Sequence, residues 1–177
     1  MAETIPVATP SLPAFSVRAA PDFVGMDDIL FRVFVTPNQL FFIKIGGGKS
    51  QGVWFAAFGL IGGLIAAALA KKEAARAKER LAGLEGIHPR ELIAKDNANH
   101  SINLNSVPTA TIGPPKMLDD AKAHFSYVAH NGKLRKFTFE NHGDVTIALE
   151  ELSAVMGERL SVGVAWNEKK KKYVKTS

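Results

Sequence analysis

Residues 29–46 read ILFRVFVTPNQLFFIKIG, two runs dense in β-branched and aromatic side chains joined at Pro37-Asn38. Such runs belong to strands, and proline followed by asparagine at the centre of a reversal suits a tight turn, so a β-hairpin is expected here. The runs are apolar at almost every position, which requires cover on both faces. A lone hairpin is not stable in water. Further strands must join it, and the next strand-like sequence lies beyond a very different segment.

Working outward toward the start of the chain, residues 1–22 carry Pro6, Pro10, Pro13 and Pro21 among Ala, Thr and Ser, with neither helical nor strand periodicity. A disordered or extended leader is expected, with no apolar core of the secretory kind. On the other side, residues 46–50 read GGGKS, a strand-loop-helix context that resembles a phosphate-cradling loop. The pattern fails at residue 43, where the required glycine is Ile43. A hinge between strand and helix is the better reading.

Residues 52–70, GVWFAAFGLIGGLIAAALA, contain no charge and lie between Lys49 and the Lys71-Lys72 pair. At about 1.5 Å per residue such a helix reaches roughly 28 Å, near the ~30 Å apolar thickness of a bilayer. Gly52, Ala56, Gly59, Gly63, Ala66 and Ala70 step by four and three along one stripe, which continues through Ala74, Ala77, Leu81 and Leu84. Gly59 and Gly63 form a GxxxG pair that lets two helices approach closely. Trp54, Phe55, Phe58, Leu60, Ile61, Leu64, Ile65 and Leu69 form the candidate membrane anchor. Lys71, Lys72, Lys169, Lys170, Lys171 and Lys172 are candidate contacts to anionic lipid. The apolar side chains favour insertion by only about −0.3 to −0.6 kcal/mol each, so burial within an oligomer or the protein's own core stays open. By the positive-inside rule, Lys71, Lys72, Arg76, Lys78 and Arg80 against Lys44 and Lys49 place the C-terminal flank in the cytoplasm. A full crossing would strand the first hairpin apart from its sheet, so a projecting helix that lies on a membrane or pairs with a second copy is preferred.

Downstream, His88-Pro89 opens a short helical segment, and SINLN and VPTATIG read as short strands. AHFSYVAH, Asn131-Gly132 and KLRKFTFE form a second hairpin. A three-residue loop with a glycine bulge, pairing Tyr127 with Phe137 and Phe125 with Phe139, turns all four rings inward. Asp144 is expected to cap a helix with apolar positions Val145, Ala148, Leu149, Leu152 and Met156, ending at Gly157. Leu160, Val162, Val164 and Trp166 alternate as a last strand, followed by a basic tail.

Taken together, the opening hairpin, SINLNSVPTATIG, and FSYVAHNGKLRKFTFE followed by a helix resemble the pleckstrin-homology-like superfamily, including GRAM-type and bacterial members. The resemblance implies an α+β fold: a small antiparallel β-barrel closed by a C-terminal helix, with the apolar and basic helix inserted at about 50–86. The expected division is a leader at 1–22, the domain at 23–166 with its helical insertion at 50–96, and a basic tail at 167–177. It also implies a binding or adaptor module, with no specific headgroup pocket identified.

The 177 residues suffice for one domain, and the net charge of +5 with a pI near 9.5 favours acidic surfaces, either anionic lipid or nucleic acid; the basic stretches at 71–80 and 169–175 lack interleaved aromatic stacking positions, which puts lipid first. The chain has no cysteine, which excludes disulfides, thiolate catalysis and cysteine zinc sites. His88, His100, His124, His130 and His142 lack metal-ligand spacing, and Ser126, His124 and Asp144 lack the elbow and oxyanion loop of a hydrolase. No catalytic residue, cofactor or metal is expected. The reading is a non-enzymatic, membrane-associated adaptor with its barrel on the cytoplasmic side, or alternatively a soluble homo-oligomeric scaffold using the same helix for self-association. A protein partner other than a second copy is not identifiable from the sequence.

Overall fold

The computed structural model describes residues 12–19, 29–47, 59–115 and 122–176, with backbone alone for 59–70. Eight strands form one sheet: β1 (Ala14–Ala19), β2 (Ile29–Val35), β3 (Gln39–Gly47), β4 (His100–Asn103), β5 (Ala110–Gly113), β6 (His124–Val128), β7 (Leu134–Phe139) and β8 (Leu160–Val162). Their order is β4-β3-β2-β1-β7-β6-β5-β8. A separate ribbon pairs β9 (Val164–Asn167) with β10 (Lys172–Lys175). Three α-helices, α1 (Gly59–Ala82), α2 (Pro89–Leu92) and α3 (His142–Met156), and three single 3-10 turns at Ile93–Lys95, Leu104–Ser106 and Gly157–Arg159 complete the described elements.

The sheet curls without closing. Four strand spacings separate β3 from β6, which in a flat sheet is about 19 Å. Yet the rings of Phe42 and Tyr127 lie 6.3 Å apart, and those of Phe42 and Phe137 only 5.1 Å. Curling lets the inward side chains of one sheet face each other, so Phe15, Phe31, Phe42, Phe125, Tyr127, Phe137 and Phe139 share a single core. On α3, Val145, Ala148, Leu152 and Met156 close the open side of that core. The small antiparallel barrel is therefore corrected to an open, mixed sheet with β4 and β8 as its edges. The mixing comes from β8, which runs parallel to β5.

Gly163 explains that strand. The alternation from Leu160 to Trp166 looks continuous, but the Gly163 N–H bonds the Ile112 carbonyl at 2.8 Å, and the chain changes partner there. Residues before it extend the sheet; those after it form the ribbon with β10, so much of the expected basic tail is strand and turn. Tyr173 of β10 is buried, with its ring 5.0 Å from that of Trp166.

A second correction concerns β1, which falls within the expected leader yet lies mid-sheet between β2 and β7. Phe15 and Val17 alternate inward, but the signal is short and bracketed by proline. The Pro13 carbonyl accepts the Val35 N–H, so proline ends the pairing without losing a needed donor.

Both hairpins turn where expected. Thr36 and Gln39 close the first around Pro37-Asn38, with Thr36 Oγ1 accepting the Gln39 N–H at 3.0 Å. In the second, Ala129 bonds Lys133 across His130, Asn131 and Gly132, with Gly132 at φ 73°. The loop has three residues, but the register differs from expectation by two: Phe125 opposes Phe137, and Tyr127 opposes Arg135. A two-residue shift preserves the strand parity, so all four rings still face the core.

Candidate functional site

Helix α1 meets the sheet near its C-terminal end. Residues 71–76 are all exposed, whereas Ala77 is buried against β3. Ala77 crosses at Gly46, where an added Cβ would stand 3.5 Å from the Ala77 methyl. Beyond the helix, residues 83–86 reverse the chain through Gly86 at φ 75°, and Leu84, Ile87 and Leu92 settle on Phe41 and Ile43. His88 caps α2, its Nδ1 accepting the Arg90 N–H at 3.2 Å. Asn99 fastens this cover to the sheet by donating to the Leu92 carbonyl and accepting the Lys44 N–H.

This cover leaves a groove over the outer face of β1 and β2. Its volume is about 570 Å³, and Arg32, Phe34, Lys78, Leu81, Ile87 and His88 contribute to its walls. Arg32 sits at the junction of the groove and a polar cluster. Its Nη1 donates to Ser16 Oγ at 3.2 Å and lies 3.5 Å from Asp144 Oδ1. Burial pushes the Arg32 pKa down, with Asp144 opposing that shift.

The sheet ladder explains why Asp144 is buried here. Pairing of β1 with β7 ends at Val17 and Phe139, which leaves the next backbone N–H, that of Ser16, without a strand partner. Asp144 Oδ1 accepts it at 2.6 Å, while Asn141 Nδ2 donates to Asp144 Oδ2 at 2.6 Å. Burial raises the Asp144 pKa; the Ser16 N–H and the Arg32 charge oppose the rise. The helix cap is therefore Asn141, whose Oδ1 accepts the Asp144 N–H, and not the expected Asp144. Beside it, Arg18 meets Glu140 through Nε at 2.9 Å and Nη2 at 3.2 Å.

The sequence-predicted residues divide among separate places. Trp54, Phe55, Phe58, Gly52 and Ala56 lie outside the described residues, as does most of the GGGKS stretch. Leu60, Ile61, Leu64, Ile65, Leu69, Gly59, Gly63, Ala66 and Ala70 lie on α1, whose backbone alone is described there. Lys71 and Lys72 are exposed on the same helix. Lys169, Lys170, Lys171 and Lys172 are exposed on the turn into β10, where Lys171 Nζ bonds Glu168 at 2.6 Å.

The transmembrane or interfacial helix is corrected. No helix among the described residues is long and apolar enough to cross a membrane. The uncharged part of α1, residues 59–70, reaches only about 18 Å at 1.5 Å per residue. Its stripe then continues through Ala77 onto the protein's own sheet.

Among the described residues, no group of three His, Asp or Glu is placed to hold a metal. Arg32 and the groove residues were missed by sequence reasoning. The available signal was a lone arginine within a run that required cover on both faces. No family model, curated protein or solved structure matches the chain.

Proposed function

We propose that the protein is a non-enzymatic scaffold that self-associates through α1. The observation carrying this reading is that residues 71–76 are all exposed, so that α1 meets the sheet beyond them, at Ala77. The helix is held to the sheet near its C-terminal end, and its uncharged residues 59–70 run on from the exposed turns. Gly59, Gly63, Ala66 and Ala70 share one stripe there, a sequence suited to close helix pairing. A second copy supplies the same stripe, and a two-fold dimer lets the two surfaces complete each other.

Sedimentation of the full-length chain tests the reading, alongside Gly59→Leu and Gly63→Leu. The parent should sediment as a defined oligomer; the variants should shift toward monomer while keeping the parent far-UV spectrum. Unchanged oligomers in both variants would remove α1 from the interface. Flotation with anionic vesicles separates the other outcome: a parent that is monomeric in solution but recovered with vesicles would replace self-association with membrane association.

A further inference from the structure

The groove beneath α1 combines an apolar wall with an incompletely bonded cation. Phe34 and Leu81 approach it from the sheet and helix, respectively, and Ile87 comes from the turn between helices. Among the described residues, Arg32 bonds the protein through Nη1 alone, and its Nε and Nη2, without protein partners, are open to solvent. These atoms belong to a planar donor fork suited to a carboxylate. Asp144 restrains the guanidinium from one side without occupying the whole fork, because the acid also accepts from Ser16 and Asn141. Lys78 adds a second cation to the lining, against the single carboxylate of Glu85. The volume of about 570 Å³ falls within the usual range for small-molecule sites.

We propose that this groove binds one single-chain anionic amphiphile, with its carboxylate on Arg32 and its hydrocarbon along Phe34, Leu81 and Ile87. A cationic ligand would meet Arg32 and Lys78 unfavourably, whereas a neutral hydrocarbon would leave the guanidinium fork unused. Charge complementarity therefore selects the anion, and the apolar wall selects a ligand larger than a free inorganic ion. The proposal is independent of self-association because the groove is formed within one chain.

Calorimetric titration of the full-length protein with decanoate, held below its micelle concentration, tests the assignment. Decan-1-ol and decyltrimethylammonium are the uncharged and cationic controls. Decanoate should bind saturably, one molecule per chain, and the alcohol should bind roughly tenfold to hundredfold more weakly for want of the charge-assisted contact. Arg32→Gln should produce a similar loss. Because this variant also removes a partner of Asp144, Leu81→Glu is tested beside it and should abolish binding with the far-UV spectrum unchanged. Equal affinity for the alcohol, parent affinity in both variants, or absence of saturable decanoate binding would overturn the proposal. Recovery with phosphatidylglycerol vesicles without decanoate binding would also overturn it, assigning anion recognition to a membrane surface. Sedimentation of the same samples separates these outcomes from a failure of self-association.

Discussion

The inner face of the sheet carries aromatic rings from strands across its width and is closed by α3, whereas the outer face is covered over β2 and β3 by one end of α1 and the short α2. Inside, Phe42 stacks on His100 of the neighbouring β4 at 4.7 Å and also lies 5.1 Å from Phe137 of β7, so residues distant along the sheet brace one another. Outside, Phe41, Ile43 and Leu92 form a much smaller buried cluster, and the groove remains beside it. The difference teaches where stability and adaptability reside. The inner packing holds the curl, while the outer cover leaves Arg32 available to a ligand.

The largest expected disruption of that contrast is Phe42→Ala. Removing a fully buried ring at the centre of several aromatic contacts should cost about 3–5 kcal/mol, measured by urea unfolding. A loss below about 1 kcal/mol would show that the inner face is not the stability-bearing side. Next comes Asp144→Ala, expected to cost about 2–3 kcal/mol by leaving the Ser16 N–H without its carboxylate and Arg32 without its acid. Asp144→Asn should recover part of that loss because an amide oxygen can still accept from Ser16. If Ala and Asn are equally damaging, the hydrogen bond to Ser16 is not the dominant contribution.

These two positions differ equally in how far the sequence discloses them. Phe42 was legible as part of an aromatic hairpin because strand pattern reports burial directly. The inward parity of Phe125, Tyr127, Phe137 and Phe139 was legible for the same reason, even though the register was displaced by two. Asp144 was readable only as a helix-start residue. Its bond to Ser16 depends on where the β1–β7 ladder stops, a long-range property that local propensity does not encode. Likewise, proline hid β1 and alternation hid the break at Gly163. The groove was least legible because Arg32 gains its setting from a helix and turn distant in sequence.

On the outer face, Ala77→Leu tests whether the smallness of the contact at Gly46 sets the position of α1. The added atoms must enter a crossing already occupied by the Gly46 backbone and Leu30, so a loss of about 1–2 kcal/mol is expected. Hydrogen exchange should rise in residues 71–82 while β6 and β7 retain their protection. Uniform loss throughout the sheet would instead show that the two faces unfold as one unit.

The smallest expected effect places a titratable group within the inner face. Burial lowers the His100 pKa; hydrogen bonding to the Ala98 carbonyl opposes this, and the Arg135 charge reinforces it. The folded state therefore favours neutral imidazole, while the unfolded chain binds a proton near the ordinary value of about 6.5. Stability from this difference is present above that pH and declines as the pH falls through it, by at most about 1.4 kcal/mol per pH unit. Urea unfolding between pH 7.5 and 5.5 measures the slope, and His100→Phe should flatten it while retaining an aromatic ring beside Phe42. Asp144 acts in the opposite direction: its raised folded pKa favours folding on acidification. An unchanged slope in His100→Phe would therefore assign the acid sensitivity to groups outside the inner aromatic face.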